Sequence, residues 1–274
     1  MIETIYIARH GFRLNWVTNN WKSETGLPRD PPLAVYGETQ AKELGEYFAS
    51  LPEHQRPTAI FSSPYYRCLQ TAKPVSQALN VPIYVEHGLS EWYSPVEAGT
   101  GLHPRPASAT ELKKHFPEID DSWSSIWYPS RKGEDVDEVH DRVAGLLKLL
   151  VPEVERRFSD RHHRILLVSH AATVIALARE LLGNRTLPLR IGCCSLTELD
   201  RKSEANVVLG GWEAKRLGSG SHLKEGASRD WGFEDIEIAD GKVVEDKGVP
   251  GTEDEVDEPV GSQLGESTQT ASRM

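Results

Sequence analysis

Hydrophobic positions alternate with polar ones in two different rhythms along this chain. Ile5 and Ile7 recur with a period of two in a run that Gly11 breaks, which predicts a short buried strand ending at Arg9–His10. Ala41, Leu44, Phe48 and Leu51 then recur at spacings of three and four, one apolar face of a helix. Ala59–Phe61 reads as a second strand and Tyr65–Ala72 as a helix start, with Pro74 kinking or ending it. Val81, Ile83 and Val85 alternate as a third strand.

The second half repeats the scheme. Ser108 with Glu111 has the spacing of a capping box. Val136, Val139, Val143, Leu146, Leu147, Leu150 and Val154 form a long amphipathic helix after an Asp135 cap. Ile165–Val168 is a continuous apolar run, as in a parallel strand buried on both faces. It ends at Ser169–His170 and leads into a helix over Ala171–Leu182, stopped by Gly183. Strands alternating with helices predict an α/β fold, a three-layer sandwich whose mostly parallel central sheet is flanked by helices. A domain over 1–239 is expected, with its core in 2–200 and an extension over 201–239. In the extension Val207–Leu209 and Trp231–Phe233 would add edge strands or pack on the body.

Charge changes the picture only at the end of the chain. Of the net −10, residues 240–274 carry −6, nine acidic against three basic. That stretch is rich in Gly, Glu, Asp, Ser and Thr without a large aromatic residue, so an acidic disordered tail is expected over 240–274. No basic stripe follows a phosphate backbone, which argues against direct nucleic-acid binding. The longest nearly apolar stretch, Ala171–Ala178, is too short to cross a bilayer, and no signal peptide is expected from the opening Ile2–Glu3–Thr4. Cys68, Cys193 and Cys194 make no paired framework and read as small buried hydrophobes of a reduced, intracellular protein.

Candidate chemistry gathers at strand ends. His10 and His170 each follow a buried strand, and ligands of open α/β sheets bind at the carboxyl ends of strands. Arg9 adjoins His10, Arg13 lies three residues on, and Arg67 stands just past the second strand. A guanidinium offers a planar fork of donors that matches two phosphate oxygens, and three of them on one small site require a dianion. Glu91 follows the third strand beside apolar Trp92, where a carboxyl of raised pKa could donate a proton.

The segments Arg9–His10–Gly11, Pro32–Leu33…Gly37…Gln40–Ala41, Ser63–Pro64…Arg67…Gln70–Thr71–Ala72, Glu91 and Ser169–His170–Ala171 together resemble the histidine phosphatase superfamily, the phosphoglycerate-mutase-like fold. The likeness covers roughly residues 2–200. Arg9–His10–Gly11–Phe12–Arg13 and Glu91–Trp92 are similar to the branch holding the Sts-type tyrosine phosphatases. Asn15–Trp16, Pro64–Leu69, Glu91–Trp92–Tyr93 and Gly192–Leu196 look closer still to the phosphatase-like domain of the fungal RNA polymerase III factor tau 55 kDa subunit and its free-standing paralogues.

The resemblance implies a metal-independent phosphomonoesterase with no cofactor, acting on a phosphorylated small molecule or a phosphoprotein. His10 would form phosphohistidine, while Arg9, Arg67 and His170 would bind the phosphoryl oxygens. Arg13 matches the extra arginine of the Sts-like branch, and Glu91 would be the proton donor. Phe12–Arg13 stands where glycolytic mutases of this fold carry Glu–Ser, and Asn15 is one position out of their asparagine's place, which argues against a mutase. Two loops, Trp16–Pro32 and Ser94–Pro106, are expected to shape the substrate site; Asn15, Trp16, Trp21, Trp92 and Tyr93 would suit an aryl or otherwise apolar ester. The alternative is a weakly catalytic or non-catalytic scaffold with transcription-factor partner proteins. No membrane association is expected, and the protein would be cytoplasmic, nuclear or both.

Overall fold

The N-terminal apolar run becomes an inner strand of a six-stranded sheet in the computed structural model, which describes residues 1–158, 161–203 and 205–264. In chain order the strands are β1 (Thr4–Arg9), β2 (Ala59–Ser62), β3 (Ile83–Val85), β4 (Trp127–Tyr128), β5 (Arg164–Ser169), β6 (Leu196–Arg201), β7 (Trp212–Ser219), β8 (Ile238–Ala239), β9 (Lys242–Val243) and β10 (Gly261–Ser262). The helices are α1 (Val35–Ser50), α2 (Tyr66–Leu79), α3 (Ala109–Leu112), α4 (Val136–Phe158) and α5 (Ala171–Leu182). The main sheet runs β3-β2-β5-β1-β6-β7. Its first four strands are mutually parallel, and β6 and β7 are antiparallel additions on the β1 side.

Both faces of the sheet are covered. Ile5 and Ile7 of β1, with Ile165 and Leu167 of β5, point into a core closed by α4 and α5. Tyr6 and Ala8, with Leu166 and Val168, point into a second core closed by α1 and α2. That two-sided burial is why these strands lack a polar alternate face.

Several expectations hold at the level of caps. Asp135 and Glu138 cap α4 reciprocally, each side chain accepting the other's backbone N–H at 2.8 Å. Gly183 ends α5 in the left-handed region at φ 70°. Pro74 lies inside α2, which continues to Leu79 and closes on left-handed Asn80. Strands β6 and β7 were not apparent from periodicity, because bulges interrupt their ladder and β7 is largely exposed. Val207–Leu209 forms no strand, and Trp231 contributes an isolated bridge to Ile191.

The acidic stretch departs from the expected disorder over residues 240–264; positions 265–274 lie outside the described residues. Strand β10 pairs with β4 in an antiparallel ladder. Asp246, Glu255 and Asp257 meet Arg29, Arg131 and Arg105 of the body. Composition registers the charge of such a segment and misses the basic surface that neutralises it.

Candidate active site

The register of β1 on β5 sets Arg9 opposite Ser169, so the residue after each is brought to the same end of the sheet. His10 and His170 stand there with ring centroids 5.3 Å apart, both buried. The backbone holds them: the His10 N–H donates to the Ser169 carbonyl at 2.9 Å, and His170 is the N-cap of α5. Nδ1–H of His10 donates to its neighbour Gly11's carbonyl at 2.8 Å, which leaves Nε2 with a free lone pair. Gly11 and Gly37 allow this loop to sit on α1, since a Cβ on Gly37 would lie 2.2 Å from the Phe12 carbonyl oxygen.

Arg67 enters from the first turn of α2 and is fully buried. Its Nη1 donates to Asp30 Oδ1 at 2.9 Å, and its Nη2 donates to Glu91 Oε2 at 3.0 Å. Asp30 also accepts the Tyr66 N–H at 2.9 Å, tying the loop before α1 to the start of α2. Glu91 Oε2 lies 3.2 Å from His170 Nδ1, and His170 Nε2 lies 2.8 Å from Ser63 Oγ. With Nδ1 protonated, Nδ1–H and Arg67 both donate to Glu91 and Ser63 donates to Nε2, which sets Arg67 Nη2 and His170 Nδ1 side by side as donors 3.1 Å apart.

Burial, reinforced by Arg67 and Arg9, holds the His10 imidazole well below its usual pKa, so it is neutral near pH 7. His170 is pushed down to about 4, mainly by burial, against the pull of Glu91. Burial would raise Glu91, but His170 and Arg67 outweigh it and hold the carboxyl well below the usual range. The raised carboxyl expected beside Trp92 is therefore not found: charged neighbours decide, and Trp92 turns its indole N–H to the Glu134 carbonyl at 2.8 Å. Burial also opposes the charge on Arg67, yet Asp30 and Glu91 raise its pKa and keep it a cation.

Arg9 and Arg13 complete a cleft of about 180 Å³ with His10, Glu91, Trp92 and the first turn of α5. Arg9 Nη1 donates to the carbonyls of Ile191 and Arg229 at 2.7 and 2.6 Å. The buried Nε atoms of Arg9, Arg13 and Arg67 have no acceptor among the described residues. Three desolvated cationic donors without acceptors suit an anion. One donor group, His10, Glu91 and His170, offers ligand atoms within 4.8 Å of one another for a metal ion. Arg67 already lies within 3.1 Å of His170 Nδ1 and 3.0 Å of Glu91 Oε2, so a dication there would face a fixed guanidinium.

Of the aromatic residues expected to shape the site, Trp16 has a different place. It braces the cations, with the guanidinium carbons of Arg13 and Arg229 4.2 and 5.3 Å from its ring. Asn15, Trp21, Trp92 and Tyr93 line a second cleft of about 380 Å³ that shares Arg13, Glu91 and Trp92 with the first. Asp30, Ser63, Arg29 and Asp246 were missed from the sequence. Ser63 stood in the quoted Ser63–Pro64…Arg67 block without a role, and Asp30 carried a weaker signal, an acid set against Pro31–Pro32 in a loop.

A model of the histidine phosphatase superfamily (branch 1) matches residues 5–212 of the chain. The transcription factor tau 55 kDa subunit of Saccharomyces cerevisiae is 40% identical over 212 residues, 73% of this chain and 48% of that protein. The human ubiquitin-associated and SH3 domain-containing protein A is 32% identical over 198 residues, 67% of this chain and 28% of that protein. The chain thus spans about half of the yeast relative and under a third of the human one. Among solved structures, the ecdysone phosphate phosphatase of Bombix mori, in complex with tungstate, superposes with a TM-score of 0.58 at 18% identity, covering 79% of this chain and 93% of that one. At that identity the likeness is one of fold.

Proposed function

The chain belongs to the histidine phosphatase superfamily, and on that footing we propose that it is a phosphomonoesterase that works through phosphohistidine and without a metal. The observation that carries this reading is the neutral His10 imidazole facing His170, with Arg9, Arg13 and Arg67 each holding a buried Nε–H that has no acceptor among the described residues. His10 Nε2 attacks phosphorus in line, forming the P–N bond as the bond to the leaving oxygen breaks. Arg9, Arg13, Arg67 and His170 Nδ1–H take the equatorial oxygens and stabilise charge as it spreads in the transition state.

With His170 and Arg67 as its partners Glu91 is ionised, which is the wrong state for an acid. A bound dianion competes for Arg67 and His170, the two groups that depress the carboxyl. Its pKa therefore rises when the phosphate is seated, and Glu91 protonates the leaving alcohol or phenol. The resulting carboxylate then takes a proton from water as the water oxygen attacks phosphorus. The P–N bond breaks, and orthophosphate and neutral His10 remain.

The substrate is an aryl phosphate or a phosphoprotein, in keeping with the aromatic second cleft. Turnover of p-nitrophenyl phosphate in EDTA tests the reading. Activity that disappears with EDTA, or that survives His10→Ala undiminished, would sink it.

The 40% identity to a transcription-factor subunit favours a second reading, a nuclear scaffold with partner proteins from a transcription complex. A scaffold needs no turnover. A catalytically dead His10→Ala protein that replaces the wild type fully in the cell would support it.

A further inference from the structure

The second cleft has a wall that the phosphatase chemistry does not require. Trp21, Trp92 and Tyr93 line it together with Arg29 and Asp246, an ion pair with Nη1 and Oδ2 2.7 Å apart. Asp246 belongs to the segment after β9, which runs over residues 244–264 as a strap from the second cleft to β4.

The strap is seated by backbone as well as by charge. The Asp246 N–H donates to the Pro95 carbonyl, and the Glu97 N–H donates to the Asp246 carbonyl, both at 2.9 Å. Val249 pairs with Leu102. A Cβ on Gly248 would lie 2.2 Å from the Gly101 backbone, so the two segments touch where neither has a side chain. Thr252 Oγ1 accepts the Leu102 N–H at 2.8 Å. A segment held at this many points presents a fixed surface to the cleft.

We propose that this strap is the specificity element of the site: Asp246, held on Arg29, closes the leaving-group cleft and selects phosphomonoesters of uncharged aromatic alcohols. The inference rests on the phosphatase reading and adds the class of leaving group. Three aromatic side chains favour a ring as the leaving group. Charge of either sign on that ring gains no net attraction to offset its desolvation, because Arg13 and Arg29 are balanced by Glu91 and Asp246. Asn15 Oδ1, buried without a partner among the described residues, offers an acceptor to a neutral polar group on the ring.

The test compares kcat/KM for phenyl phosphate, 4-carboxyphenyl phosphate, 2-naphthyl phosphate and glycerol 2-phosphate in the full chain. Asp246→Asn removes the counter-charge of Arg29, which the Lys247 carbonyl still holds in place, and the preference for 4-carboxyphenyl over phenyl phosphate should rise by about ten-fold, the size of one well-placed charge contact. Gly248→Val unseats the strap from Gly101, and the preference for 2-naphthyl over glycerol 2-phosphate should fall by a similar factor. A change of under about two-fold in the carboxylate ratio for Asp246→Asn overturns the proposal by itself, whether or not Gly248→Val folds. A folded Gly248→Val protein that keeps the wild-type naphthyl preference also overturns it. Wild-type protein that hydrolyses none of the four esters overturns the phosphatase reading and this inference together.

Discussion

His10 and His170 are neighbours because β1 and β5 run parallel with Arg9 opposite Ser169, and their rings meet 5.3 Å apart. Parallel pairing of two strands from opposite halves of the chain delivers both imidazoles to the same edge. Neither needs the other nearby in sequence.

Removal of His10 should eliminate the covalent step. His10→Ala is expected to lower kcat for p-nitrophenyl phosphate by at least about 10³-fold, since loss of a nucleophile removes the two-step route. Brief mixing with a ³²P-labelled aryl phosphate should leave an acid-labile, alkali-stable label on the wild type. No label should form on His10→Ala, and equal labelling of the two proteins would contradict the assignment.

Glu91→Gln should separate substrates by how much their leaving group needs a proton. An alkyl phosphate is expected to lose about 10²–10⁴-fold in kcat/KM, and p-nitrophenyl phosphate far less, because p-nitrophenolate leaves unaided. Equal losses on both substrates would remove Glu91 as the acid.

Asp30 and Arg67 are both buried and joined at 2.9 Å. Asp30→Asn leaves the guanidinium with less neutralising charge and should cost about 3–5 kcal/mol of stability, read from urea unfolding. Saturating orthovanadate should recover part of the loss, because an oxyanion supplies the missing negative charge. A variant as stable as the wild type would show that Asp30 does not hold Arg67.

His87 is buried against Tyr128, and burial with Arg105 nearby pushes its pKa down to about 3. Its unfolded value is near 6.5, so between these values the unfolded chain binds a proton that the folded one refuses. Stability from this group is complete above about pH 6.5 and is lost as the pH falls toward 3. Wild type should therefore lose stability relative to His87→Gln between pH 7 and pH 4.5, measured by urea unfolding at each pH. A constant difference across that range would show that the imidazole is not held neutral.

Much of the α/β core was readable because buried strands and amphipathic helices carry their burial in local periodicity. Ile165–Val168 and the α4 face are examples, each set by residues close in sequence. The strand-end positions of His10 and His170 were legible for the same reason. Strands β6 and β7 were not, since bulges and exposure blur the alternation on which such a reading depends.

What the sequence determined by itself is the set of chemical groups and the strand tips that carry them, because both follow from residue identity and from short-range pattern. Tertiary structure alone decided that Asp30 and Glu91 share Arg67, that Glu91 is held ionised, and that an acidic segment lies along the body with Asp246 at the second cleft. Each of those depends on a charge from a distant part of the chain at about 3 Å. Coulomb energy and desolvation are set by distance in space, which no local pattern records.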